Sequence, residues 1–148
     1  MSDDLMQSEA DRLLAMKKKP TKAGPVNWPA LGKKATVDLL SMDEREEFVL
    51  DIERSYVKIS KLTLQNRAWV TVSLARLDLD GASHRNPDDS ELPCPHLHLF
   101  REGYNDKWAI PVPVEHFKNI ADRRQTVSDF MAFCSIVEVP NFIKDLLS

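Results

Sequence analysis

The chain has 148 residues, 43% of them hydrophobic and 29% charged, and 20 Lys plus Arg against 23 Asp plus Glu give a formal net charge of −3. That length closes one core rather than two, and the balance fits neither a disordered chain nor a basic nucleic-acid module. No apolar run approaches the roughly 18 residues of a membrane span, and the acidic start MSDDLMQSEADR is not a secretory n-region. The expectation is a cytoplasmic chain with no membrane partner. Cys94 and Cys134 show no metal or disulfide spacing and read as reduced thiols.

Residues 1–20 read as an N-terminal helix. Ser2-Asp3-Asp4 supplies cap chemistry, and Met6, Ala10, Leu13 and Leu14 share one face. Lys17-Lys18-Lys19 suits its negative end as a solvated run, and Pro20 stops it. Residues 21–34 form an irregular connector in which Pro25, Pro29, Gly24 and Gly32 surround Trp28, an aromatic pinned against the body.

Residues 36–113 read as a sheet. A short strand over 36–41 precedes Phe48, Leu50 and Ile52, which alternate with Val49, Asp51 and Glu53 to give one apolar and one wet face. Val57 and Ile59 open a second run whose phase slips to Leu62 and Leu64, which predicts a β-bulge near Lys61. Gln65-Asn66-Arg67 is the expected turn before a third run, Ala68 to Asp80, with Val70, Val72 and Leu74 on one face. The segment GASHRNPDDSELPCP, residues 81–95, is polar, turn-rich and the longest loop, hence a candidate for function. Strands over His96–Arg101 and Lys107–Val112 follow, joined by residues 102–106.

Residues 122–148 return to helical spacing. Thr126 with Asp129 resembles a capping box, and Val127, Phe130, Met131 and Cys134 share a face. Pro140-Asn141 then punctuates a last turn carrying Phe142, Ile143, Leu146 and Leu147. The pattern is one α+β domain over 1–148, a five- or six-stranded, mostly antiparallel meander flanked by an N-terminal and a C-terminal helix. Nothing between residues 46 and 113 leaves room for a helical crossover. The expected core is Leu13, Phe48, Leu50, Ile52, Val70, Val72, Leu74, Leu97, Leu99, Ile110, Phe130 and Met131.

The chemically loaded segment holds His84, His96 and His98, with Arg85, Arg101, Glu102, Tyr104 and Lys107 close by. On a strand His96 and His98 project from one face with Cβ atoms about 7 Å apart. Three readings stay open at this point. The pair can occupy a half-exposed strand face, converge on a metal, or work as base and acid near neutral pH. A metal needs a third ligand, for which His84, Asp88, Asp89 and Glu91 are within loop reach, but no recognised metal motif supports one. In the metal-free case His84, His96 and His98 carry protons while Arg85, Arg101 or Lys107 steadies a phosphate and Tyr104 stacks on a base. Trp108 suits the core better than a stacking platform. Glycine-rich phosphate loops and nucleophile elbows are absent from the sequence.

The stretch LARLDLDGASHRNPDDSELPCPHLHLFREGYNDKWAIPVP resembles the signature of a family of small bacterial proteins without an assigned function, often met in prophages and mobile regions. The residues that carry it are His84-Arg85-Asn86-Pro87, Cys94-Pro95-His96-Leu97-His98-Leu99, Arg101-Glu102-Gly103-Tyr104 and Asp106-Lys107-Trp108. ERSYVKISKLTLQNRAWVTV and the helical ends are similar too, so the likeness covers most of the chain. Asp89 and Asn105 stand where the pattern has glycine, and both residue types tolerate a left-handed backbone. The resemblance implies a cytoplasmic accessory protein of mobile DNA, without a reaction.

The functional expectation is a small metal-independent RNA-acting protein of ribonuclease-toxin type, with His84, His96 and His98 as proton carriers and Arg85, Arg101, Tyr104 and Lys107 as substrate contacts. It calls for no cofactor and no metal, and its partner is RNA. The alternative is a non-catalytic binding or inhibitor protein of phage or toxin–antitoxin type, whose partner is a host or cognate protein.

Overall fold

Alternation of period two builds a sheet, and in the computed structural model, which describes residues 5–142, that sheet organises the chain. The elements are α1 (Gln7–Ala15), β1 (Lys18–Pro20), β2 (Pro25–Val26), β3 (Lys34–Ser41), β4 (Glu47–Arg54), β5 (Leu62–Ala68), β6 (Val72–Leu79), β7 (His84–Arg85), β8 (Glu91–Leu92), β9 (His96–Leu99), β10 (Ala109–Pro111), α2 (Arg123–Phe133) and β11 (Asn141–Phe142). Seven strands pair in the order β1-β3-β4-β5-β6-β9-β10, every neighbour antiparallel. The α+β class and the meander are as the sequence predicts. The seventh strand is β1, which takes the lysines read as a helix end. Two small pairs sit outside the sheet: β7 with β8, and β11 parallel to β2.

One face of the sheet carries the core, where Leu13 of α1, Val127, Phe130 and Met131 of α2 and its C-cap Cys134 pack over Phe48, Leu50, Ile52, Leu64, Leu77 and Leu97. Trp28 joins it, edge-on to Phe142 at 5.5 Å. Two expected core residues lie elsewhere. Val70 is 59% exposed because the tight turn falls at Trp69-Val70, both with positive φ, not at Gln65–Arg67, which continue β5. Ile110 is 39% exposed because β10 is the edge strand. Leu99 is partly buried against the core. Asp89 (φ 70°) and Asn105 (φ 55°) adopt the left-handed backbone that their residue types allow.

No bulge lies near Lys61; Val57 and Ile59 belong to an exposed turn, and β5 simply begins at Leu62. The bulge is in β6. Asn66 pairs with Ala75 and Arg67 with Ser73, so Leu74 has no partner. That extra residue shifts the apolar phase from Val72 and Leu74 to Ala75, Leu77 and Leu79. Arg76 and Asp78 are thereby turned to the face opposite the core. The face read as wet also holds a buried charge, since Asp51 accepts from Arg67 Nε at 2.6 Å and Nη2 at 3.0 Å. Burial works against ionisation of Asp51, but Arg67 and Gln65 outweigh it and lower the carboxyl's pKa.

The helices are held by distant residues. The Ser2-Asp3-Asp4 cap lies outside the described residues, and Glu102 Oε1 instead accepts the α1 amide of Gln7 at 2.7 Å. At the other end Lys18 is not solvated. Its buried Nζ donates to Leu14 O, Met16 O and Cys134 O at 3.0, 2.9 and 2.7 Å, so one ammonium closes the C-termini of both helices. The α2 cap is Asp122, which accepts from Gln125 N, and not a Thr126–Asp129 box. Thr126 lies within the helix and donates back to Asp122 O. Residues 143–148, including Ile143, Leu146 and Leu147 of the expected last turn, lie outside the described residues.

Replacing Lys18 with Met strands the buried Cys134 carbonyl and the half-buried carbonyls of Leu14 and Met16, and urea unfolding should show a loss of about 3 kcal/mol. Lys17→Ala, at an exposed position beside it, should leave the midpoint unchanged.

Candidate functional site

Register on the face opposite the core dictates the site. β6 pairs with β9 so that Asp78 lies opposite His96 and Arg76 opposite His98. Residues directly opposite in a ladder share a face, so these four side chains are gathered by central strands. The short β7–β8 hairpin then brings His84 onto them. The ring centroids of His84, His96 and His98 stand 5.8, 4.5 and 5.0 Å apart.

The hairpin is docked by two side chains. Asn86 Oδ1 accepts from Ala109 N at 2.8 Å while its Nδ2 donates to Ala109 O at 3.0 Å. This buried amide extends the edge of β10 as a strand would. His84 Nε2 donates to Lys107 O at 2.8 Å, a second tie to the same edge.

His96 and His98 are buried, 2% and 1% exposed, and do not occupy a half-exposed face. Each has one ring nitrogen on a backbone carbonyl: His96 Nδ1 on Pro93 O at 3.3 Å and His98 Nδ1 on Asp106 O at 2.9 Å. The other nitrogen of each, Nε2, lies 3.2 Å from the same Asp78 oxygen, Oδ2. Arg76 reaches His98 Nε2 at 3.1 Å and Asp106 Oδ2 at 3.0 Å. Burial pushes the Asp78 carboxyl up, but His98 hydrogen bonding and the Arg76 charge outweigh it and hold its pKa at about 2. Burial lowers the pKa of His96 and keeps it neutral at pH 7.

The cluster opens into a cleft of about 190 Å³ whose walls include Lys61, Thr63, Arg76, Ser83 and Cys94. The structure brings together His84, His96 and His98 but none of the four expected substrate contacts. The Arg85 side chain, exposed, pairs with Glu91 at 3.4 Å. Arg101 lies over the half-buried Trp108 ring at 4.4 Å, with Tyr104 edge-on to that ring at 5.9 Å. Lys107 contributes its carbonyl and is not among the lining side chains. Asp88, Asp89 and Glu91 do not join the histidines either; among the described residues the carboxylate that does is Asp78. The β6 stretch Ala75-Arg76-Leu77-Asp78-Leu79 does carry a signal for Asp78, an acid and a base alternating with buried apolar residues.

The chain belongs to a family of unknown function, DUF6978, whose model matches residues 5–136. No curated protein and no solved structure matches it. Among the described residues, no helix is long and apolar enough to cross a membrane.

Loss of the Asn86 amide should release the hairpin and His84 while the sheet stays folded. Asn86→Ala is expected to cost about 2 kcal/mol, and hydrogen exchange should show lost protection at Ala109 and across residues 84–92, with β4 and β5 unchanged.

Proposed function

We propose that the chain is an enzyme working in the His84–His96–His98–Asp78 cleft, and that its substrate is an RNA phosphodiester. The observation that carries this reading is the convergence of three imidazoles on one open cleft with the cations Lys61 and Arg76 in its wall. His96 and His98 are turned inward on Asp78, so proton transfer at the cleft falls to half-buried His84. With its Nε2 proton on Lys107 O, His84 has Nδ1 free to act as a base. It takes the proton of a ribose 2′-hydroxyl, O2′ bonds to phosphorus and the P–O5′ bond breaks. The leaving oxygen is protonated by water, and the resulting hydroxide recovers the proton from His84. Lys61 holds the phosphate, in place of the Arg85, Arg101 or Lys107 of the expectation. The setting is that of a small bacterial accessory protein of a prophage or mobile element, of toxin type and cytoplasmic. The likeness of its HRNP, CPHLHL and REGY segments supports it.

A second reading, a non-catalytic protein-binding role, is favoured by a single turn on which Tyr56, Val57 and Ile59 are 79%, 96% and 69% exposed. Such a trio suits a partner surface.

Total RNA incubated with the purified protein should be cut to fragments ending in cyclic phosphate. His84→Ala should slow this by about a hundredfold, whereas Arg101→Ala, outside the cleft, should cut at the wild-type rate. RNA left intact by the wild-type protein, with and without added divalent ions, would sink the enzymatic reading and leave the binding one.

A further inference from the structure

The hydrogen-bond accounting at Asp78 does not close. A carbonyl oxygen only accepts, so Pro93 O places the His96 proton on Nδ1, which also faces Cys94 Sγ at 3.6 Å while the thiol donates its own proton to Ala82 O, and Asp106 O places the His98 proton on Nδ1. With both imidazoles neutral, the form that binds a metal, each Nε2 is a lone pair, and both face one carboxylate oxygen at 3.2 Å. Three electron-rich atoms therefore converge, of which His96 Nε2 has no donor and Asp78 Oδ2 has only the guanidinium Nε of Arg76, at 3.5 Å. Arg76 Nη2 satisfies the lone pair of His98 from the side. Arg76 divides its charge between Asp78 Oδ2 at 3.5 Å and Asp106 at 3.0 Å, and Thr63 Oγ1 donates to the other Asp78 oxygen at 3.2 Å, so Oδ2 keeps lone-pair capacity for a cation.

We infer that Asp78, His96 and His98 bind one divalent first-row metal ion, Zn²⁺ by ligand type. The ligand atoms lie within 4.8 Å of one another. A tetrahedral ion with bonds of about 2.0–2.1 Å holds its ligands about 3.3 Å apart, and the two Nε2–Oδ2 separations are 3.2 Å. The backbone carbonyls on each Nδ1 are the outer partners that orient metal-bound imidazoles. The ligands stand on adjacent central strands in fixed register, so the site is preformed. Three protein ligands beside an open cleft leave a coordination position for water or substrate. His84 lines the cleft next to the site, 4.5 Å ring to ring from His98, and is not one of the ligands.

This inference rests on the cleft being the functional centre, not on RNA being the substrate. It departs from the metal-free expectation by assigning His96 and His98 to an ion instead of to proton transfer.

The test is binding of Zn²⁺ to the full chain stripped with chelator, followed by competition with a chromophoric chelator and by calorimetry, together with the visible spectrum of the Co²⁺ form. One ion per chain and a tetrahedral Co²⁺ spectrum are expected. Asp78→Asn and His98→Gln, checked for fold by circular dichroism, should each weaken binding by at least about a hundredfold. His84→Ala and His116→Ala should bind as wild type does. Absence of stoichiometric binding, or binding that survives in Asp78→Asn and His98→Gln, overturns the site. Should either variant fail to fold, the Co²⁺ spectrum of the wild type decides alone: bands of nitrogen–oxygen tetrahedral coordination support the site and an octahedral aquo-like spectrum overturns it. A chain that binds Zn²⁺ yet leaves RNA intact keeps the metal site and removes the RNA reading. A chain that cuts RNA yet takes up no Zn²⁺ once the chelator is removed does the reverse.

Discussion

A single buried ammonium holds the layers together. Lys18 begins β1, the edge strand beside β3, and its side chain reaches the last turn of α1 and the carbonyl that ends α2. Its own backbone amide donates to Ser135 O, and its carbonyl accepts from Val137 N. Both helices and the sheet edge thus meet at one residue. Burial alone makes the charge costly and lowers its pKa to about 8, yet all three N–H donors find carbonyl acceptors at 3.0 Å or less. Helix C-termini leave carbonyls unpaired and carry partial negative charge, so one cation answers a deficit in two elements at once.

The opposite face shows the same physics with the reverse outcome. At Lys18 every donor has an acceptor; at Asp78 acceptors converge with too few donors. Low dielectric makes a satisfied polar cluster rigid and an incomplete one expensive. A structural role asks for complete pairing, as the Asp51–Arg67 pair on the same face provides with two bonds from one guanidinium. The Asp78 cluster departs from that pattern while sitting beside an open cleft. Unfinished polar pairing held by rigid strands is what a ligand site requires.

The sequence makes much of this legible where the signal is local. Alternation through Phe48, Leu50 and Ile52, the helical face of Val127, Phe130, Met131 and Cys134, and the pinning of Trp28 each depend on neighbours in the chain. The meander follows from the short connections between strands. What escaped depends on partners far away. Glu102 caps a helix 95 residues earlier, and Lys18 bonds a carbonyl 116 residues later. Neither spacing leaves a periodic trace. The bulge at Leu74 was within reach, because the buried set moves from Val72 and Leu74 to Leu77 and Leu79. A bulge at Lys61 assigns no face to Arg76 and Asp78, and so gives them no connection to the histidines. The histidine grouping was legible as a cluster, but the carboxylate that completes it came from a strand that pairs with β9 across the 81–95 loop.

That loop explains how rigid and adjustable parts share one site. His96, His98 and Asp78 are set by ladder register, which a small displacement cannot alter without breaking backbone bonds. His84 is set by a two-residue strand pair whose tie to β10 runs through the Asn86 side chain and the His84 ring. Few contacts hold such an appendage, so its opening costs far less than unfolding of the sheet. With a net charge of −3 the chain has no general attraction for a polyanion, and Lys61 supplies positive charge only at the cleft. Selectivity for an anionic group would then depend on fit inside the cleft rather than on long-range steering. The hairpin contributes His84 to the wall of that cleft, so its position decides where the third imidazole stands relative to the other two.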